Sequence, residues 1–142
     1  MAGINTGKVI AGGLLAGVVF NVLDFISNSV LFAADLSANF TRLGLDPAAM
    51  ETASGIATWV VIDFLMGIVA VWTYAAIRPR FGPGAKTAAY AGFVLWLAIF
   101  LVMFGLTRAG LFPMALSIKY GLMALITNVV GTIAGAWAYK EA

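Results

Sequence analysis

The amino-acid sequence predicts an all-α polytopic membrane protein, with four transmembrane helices in an antiparallel bundle and a short surface helix in the first outer loop. Three observations lead there. Charged residues make up 10 % of the chain and apolar residues 63 %, whereas a soluble domain carries roughly a quarter charged and just under half apolar. Mean hydropathy is +1.02. Apolar runs of about 20 residues, the length a helix needs to cross the hydrocarbon core, recur four times. Such a chain has too little polar surface to coat a water-facing globule, and residues 1–142 read as one transmembrane domain.

The first span covers 9–32. Lys8 precedes it as in a secretory signal, but a signal's apolar region is about 7–15 residues long. This run is longer, so it reads as a retained span. The connection that follows is the only long one. In it Leu36, Phe40 and Leu43 recur at i, i+4, i+7 with Asp35, Asn39 and Arg42 between them, the pattern of a short helix on a membrane surface. Asp46-Pro47 reads as an N-cap followed by proline at the first helical position, so the second span, 56–77, is expected to begin ahead of its apolar part. Arg78-Pro79-Arg80-Phe81-Gly82-Pro83-Gly84 is a helix breaker. The third span, 87–106, carries no charge and is expected to face lipid or a partner most. Residues 107–112 connect it to the fourth span, 116–138, with Pro113 suited to that helix's first turn.

Lys and Arg placement sets the expected orientation. One side holds Lys8, Arg78, Arg80, Lys86 and Lys140; the other holds Arg42, Arg108 and Lys119 with Asp35, Asp46 and Glu51. Both termini are therefore expected to be cytoplasmic. Trp72, Tyr74, Tyr90, Trp137 and Tyr139 fall toward the same boundary, as an aromatic belt does.

Two carboxylates lie inside spans, Asp24 in the first and Asp63 in the second. A charge near the bilayer centre costs about 2.5–3.5 kcal/mol on insertion scales, so such acids turn into the bundle. In antiparallel helices both acids fall at a similar level, roughly 5 Å outward of the midplane. Gly13, Gly17, Asn21, Asp24 and Asn28 share an arc of about 80° on the first span. The fourth span has a matching stripe of Gly121, Ala124, Asn128, Gly131 and Gly135, and the second lines up Asp63, Gly67, Ala70 and Tyr74. Small residues let membrane helices approach closely and amides hydrogen-bond across the contact. Spans one, two and four are thus expected to form the tight seam, with Asn21, Asp24, Asp63 and Asn128 near its centre. Three readings of this cluster stay open: a structural knot, a proton or ion relay, and polar contacts to another subunit or lipid. Lys119 is expected to snorkel to the outer interface, and the indole N–H of Trp96 to need a partner.

The chain has no Cys and no His, which removes thiolate chemistry, disulfides and the commonest metal and haem ligand. Ser27 and Ser29 have no nearby base, and no glycine loop cradles a phosphate. The chain is expected not to be an enzyme and to hold no cofactor or metal, with lipid or pigment touched by packing alone. A net charge of +2 from few residues carries no nucleic-acid signal. The expected partners are the bilayer and other membrane subunits, with a homo-oligomer open. The first functional expectation is a non-catalytic accessory subunit of a larger membrane complex, respiratory or photosynthetic. The alternative is a small oligomeric proton or ion channel or transporter using Asp24 and Asp63.

The opening Asn5-Thr6-Gly7-Lys8-Val9-Ile10-Ala11-Gly12-Gly13, followed by Asn21, Asp24 and Phe25, resembles small uncharacterised four-helix bacterial inner-membrane proteins. The resemblance implies a bacterial cytoplasmic-membrane location and no activity.

Overall fold

The structure is a computed structural model and describes residues 3–139. Lys140, one of the charges used for orientation, lies outside the described residues. The fold is all-α with five helices: α1 (Thr6–Ile26), α2 (Ala33–Arg42), α3 (Ala53–Phe81), α4 (Ala85–Arg108) and α5 (Met114–Ala138). Four of them, α1 with its extension, α3, α4 and α5, are long and apolar enough to cross a membrane. Their apolar surfaces fit contact with a lipid bilayer.

Helix α1 starts where the Asn5 side chain accepts the Lys8 N–H at 3.1 Å, the N-cap bond that satisfies an otherwise orphaned donor. It does not end at Ile26. A π-helical turn, Ser27–Leu31, carries it on, closed by the Phe32 N–H donating to the Ser27 carbonyl at 2.9 Å. Two side chains bond back to the preceding turn beside the widening. Ser27 Oγ donates to the Leu23 carbonyl at 2.7 Å and Asn28 Nδ2 to the Asp24 carbonyl at 2.8 Å, competing for acceptors the regular ladder would use.

Three expected boundaries are corrected. Asp46 caps through Ala48 N–H, but only a 3-10 turn over Pro47–Glu51; α3 begins at Ala53, capped by Thr52 accepting the Gly55 N–H. Pro79 sits inside α3, because the helix runs one turn further to Phe81 and then stops at Gly82, whose φ of 82° is one an L side chain resists. The breaker is therefore Gly82-Pro83-Gly84, not the whole stretch from Arg78. Pro113 is the residue before α5 rather than within its first turn.

The core gathers at one end of the molecule. It comprises Val9 and Ala16 of α1, Val71, Tyr74 and Ala75 of α3, Ala88 and Ala91 of α4, and Ala136 with Tyr139 at the end of α5. Alanine leaves room for helix axes to converge. Polar contacts tie the same end: the Asn5 N–H donates to Tyr139 Oη at 3.3 Å, and the Gly84 N–H donates to Tyr74 Oη at 3.2 Å. The Arg78 guanidinium lies 5.8 Å from the centre of the Tyr139 ring.

Helix α1 is the shared wall. On one face Gly13 abuts Ile68 and Gly17 abuts Phe64, so numbers climb along α1 as they fall along α3. On another, Gly12 meets Gly135, and Gly131 receives the Phe20 ring. Gly121 points elsewhere, toward the Phe100 ring of α4. The expected three-helix seam is thus a row, α3–α1–α5–α4, in which α3 and α5 touch little. Helix α4 buries the smallest share of its apolar length, as its uncharged sequence predicts. It is still anchored: Gly92 lies against the Asn128 backbone, and Trp96 Nε1 donates to the Gly121 carbonyl at 2.7 Å.

The glycine contacts set a paired expectation. A Cβ on Gly67 would lie 2.6 Å from the Gly17 nitrogen, whereas one on Gly105 meets nothing within 4 Å. Gly67→Ala should cost about 1–3 kcal/mol by overpacking, and Gly105→Ala should stabilise by roughly 0.5–1 kcal/mol through helix propensity. Thermal unfolding of detergent-solubilised protein checks both signs.

Candidate functional site

Beyond the converged end, α3 and α4 lose their buried positions while α5 stays packed on α4. No residue of α3 from 53 to 66 is buried, and none of α4 from 93 to 106, while α5 is buried at intervals along its whole length. The row of helices therefore opens between α3 and α4, with α1 and α5 behind. The two carboxylates lie on this open half, and the geometry explains why each is there. Asp63 stands one turn before Gly67 on the face α3 turns toward α1, and Asp24 stands two turns beyond Gly17 on the matching face of α1. Both are half-buried, and they are close enough for their charges to interact.

Each residue predicted for the cluster has a definite place. Asn21 staples the helix pair: its Nδ2 donates to the Gly17 carbonyl at 2.9 Å and across to the Val60 carbonyl of α3 at 3.3 Å. Asn28 is exposed and links α1 to α5, because Tyr120 Oη donates to its Oδ1 at 2.6 Å. Asn128 is buried but is not drawn to the carboxylates. Its Nδ2 donates to the Ala124 carbonyl of its own helix at 2.8 Å, and its backbone carbonyl accepts from Thr132 Oγ1 at 2.5 Å. Among the packing glycines, Gly13, Gly17 and Gly67 close α1 on α3, Gly131 and Gly135 close α5 on α1, and Gly121 serves α4.

Two residues not singled out by the sequence complete the site. Thr127, 2 % exposed, faces the Asp24 carboxylate from α5 without a hydrogen bond of normal geometry. Tyr120, nearly two turns past the helix start, lies near both Asp24 and Asp35 and packs its ring 5.0 Å from that of Phe32. Their signal lay in helical phase: Thr127 is rotated about 100° from Asn128, which turns it off the glycine stripe and toward the opening. Lys119 lies at the α2 end of the molecule, where its Nζ pairs with Asp35 Oδ2 at 2.6 Å.

The chemistry available is that of oxygen donors: two carboxylates, a buried hydroxyl, a phenol and an amide. Among the described residues, no group of three or more His, Cys, Asp or Glu side chains is placed to hold a metal ion. No protein-family model, curated protein or solved structure matches the chain.

Two carboxylates on facing sides of one helix contact in an apolar setting oppose each other when both are charged. Asp63→Asn is expected to stabilise the fold by about 1 kcal/mol or more, and to do so less in an Asp24→Asn background. A double-mutant cycle by thermal unfolding reads the difference; additive effects would mean the two groups do not interact.

Proposed function

We propose that the chain is an integral protein of the bacterial cytoplasmic membrane, an antiparallel four-helix bundle with both ends cytoplasmic and α2 on the opposite surface. In this reading it serves as a non-catalytic accessory subunit of a larger membrane assembly. The observation that carries the proposal is the unclosed half of the molecule. A self-sufficient bundle buries an inward stripe along every helix, yet α3 from 53 to 66 and α4 from 93 to 106 bury none. Leu65 is 56 % exposed and Val102 65 %. Lipid covers apolar side chains well enough, but it offers nothing to Asp63, which accepts no hydrogen bond among the described residues and stands half-exposed at the edge of the opening. A carboxylate left facing acyl chains costs about 2.5–3.5 kcal/mol. A partner helix seated between α3 and α4 would offset that cost with a donor of its own. The small mass outside the four spans and the absence of His and Cys fit a packing role over catalysis, in a respiratory or photosynthetic complex or one built on similar lines.

Purification in mild detergent, with native electrophoresis and mass spectrometry, tests this. The chain is expected to migrate with larger membrane subunits, and Asp63→Leu to weaken that association. Recovery of the chain only by itself, or only as a homo-oligomer, counts against the proposal.

The pairing of Asp24 with Asp63 favours a second reading, a proton or cation path completed in an oligomer. Two interacting carboxylates beside a buried hydroxyl are the groups such a path uses. In proteoliposomes this reading expects flux that falls at least tenfold in Asp24→Asn and Asp63→Asn; flux no greater than in empty liposomes removes it.

A further inference from the structure

A different part of the molecule, outside the carboxylate pair, is built to hold an anion. Between α2 and the start of α5 lies a cleft of about 210 Å³ lined in part by Asp35, Ala38, Asn39, Arg42, Ala115 and Lys119. Arg42 and Lys119 against Asp35 leave one net positive charge there. We propose that this cleft binds the phosphate of an anionic phospholipid headgroup. The proposal rests on the membrane reading above and adds a ligand to it.

The arginine is held in place before any ligand arrives. Asn39 is only 2 % exposed, and its Oδ1 accepts from Arg42 Nε at 3.2 Å and Nη2 at 2.8 Å. Nη2 also donates to the Gly110 and Leu111 carbonyls, each at 3.0 Å. Asn39 Nδ2 donates to the same Leu111 carbonyl at 3.2 Å, fixing the amide that fixes the guanidinium. Nη1 makes no hydrogen bond among the described residues and stays available as a donor. The Lys119 ammonium has three donors, and Asp35 is its one partner among the described residues. A fixed guanidinium with its Nη1 available, and a second cation beside it, offers charge-assisted donors to a phosphate oxygen. Helix α5 adds to the field, since no side chain caps its first turn and no acid sits in it.

What makes the ligand a lipid and not a free phosphate is the surface below the cleft. Ala115, Ile118, Leu122 and Ile126 follow one another at spacings of three and four and so share a face of α5, with Lys119 one position after Ile118 at the edge of that face. Ile118, Leu122 and Ile126 are 50 %, 63 % and 52 % exposed. An acyl chain attached to a phosphate in the cleft would run down this stripe. Helix α2 complements the arrangement: its charged residues line the cleft while Leu36 and Phe40 are half-buried, as suits a helix at headgroup level.

Native mass spectrometry of the full chain in neutral detergent, with phosphatidylglycerol, phosphatidylcholine or glycerol 1-phosphate added at equal concentration, tests the proposal. Phosphatidylglycerol is expected to be retained and the other two not. One charge near a membrane surface changes binding about fivefold. Lys119→Gln should therefore weaken phosphatidylglycerol binding about fivefold, and Asp35→Asn should strengthen it by a similar factor. Arg42→Gln should abolish retention, but Arg42 also braces residues 110–111 and its loss can unfold that end. Ala38→Leu, which fills the cleft and leaves every charge in place, covers that case and should also abolish it. Equal retention of the two lipids overturns the proposal, as does an unchanged affinity in both Asp35→Asn and Lys119→Gln. Glycerol 1-phosphate competing as well as the lipid overturns the lipid assignment. Extraction of the chain from membranes by alkaline carbonate is a separate outcome that overturns the membrane reading itself.

Discussion

The close approach of α1 to both of its neighbours is the constraint from which the rest of the structure follows. A Cβ on Gly12 would lie 2.5 Å from the Gly135 carbonyl oxygen, and one on Gly13 would lie 2.5 Å from the Ile68 Cα. Adjacent glycines thus serve two different helices, because successive positions on a helix are rotated by about 100°. Helix α1 is pinned from two sides at once. Helix α3 and helix α5 are placed chiefly by it, meeting each other where Val71 packs on Gly135. That arrangement brings α4 in only through α5 and through the tyrosine-lined end, where Tyr74 and Tyr139 stand edge to face at 6.0 Å.

Polar side chains inside the apolar helices divide into two groups by how they are satisfied. Most are answered locally. Thr107 Oγ1 donates to the Met103 carbonyl at 2.9 Å, Ser117 Oγ to Pro113 and Thr132 Oγ1 to Asn128; such bonds back to the preceding turn keep a hydroxyl from being stranded where no water reaches. Thr107 and Ser117 also bond to each other, joining α4 to α5. A carboxylate has no donor while ionised and cannot use this route. Asp24 and Asp63 therefore stand apart from the locally bonded polar groups, together with Thr127, whose buried hydroxyl also makes no such bond, and their position is informative in a way that the position of Asn128 is not.

Much of this was legible in the sequence, and what was not has specific causes. The four long helices follow from run length alone, and the close-packing faces that carry Gly13, Gly17 and Gly67 follow from spacing, because small residues at i, i+4 make a flat face whatever it meets. Gly121 and Asn128 lie on such a stripe too, but a stripe does not say which neighbour it faces, and these two are turned to α4 and to their own helix. Sequence periodicity marked α2 with Asn39 on its polar side. It could not show that the 110–111 loop would fold over that side and bury the amide. Asp46 carried the right capping chemistry, and its side chain does accept a backbone N–H. Capping chemistry is local, however, and does not distinguish one turn of 3-10 helix from the beginning of a long α-helix.

The opening between α3 and α4 is the converse of the glycine contacts. Gly12, Gly13, Gly17, Gly67, Gly92, Gly121, Gly131 and Gly135, which meet backbone or a ring from another helix, lie on α1, the second half of α3, the first half of α4, or α5; Gly105, in the last turn of α4, meets nothing. The first half of α3 carries Gly55 alone, ahead of Ile56, Trp59, Val60, Val61 and Ile62, all exposed. Bulky side chains there keep the axis of α3 at a distance from α4, where small ones would have let it close. Closing that half would bury Asp63 beside Asp24 with no compensating donor on either helix, a cost that grows as water and polar surroundings are removed. The distribution of small and large residues and the placement of the two acids therefore act in the same direction. They hold the carboxylate pair at the mouth of a lateral opening, where a group from outside the chain has access to it.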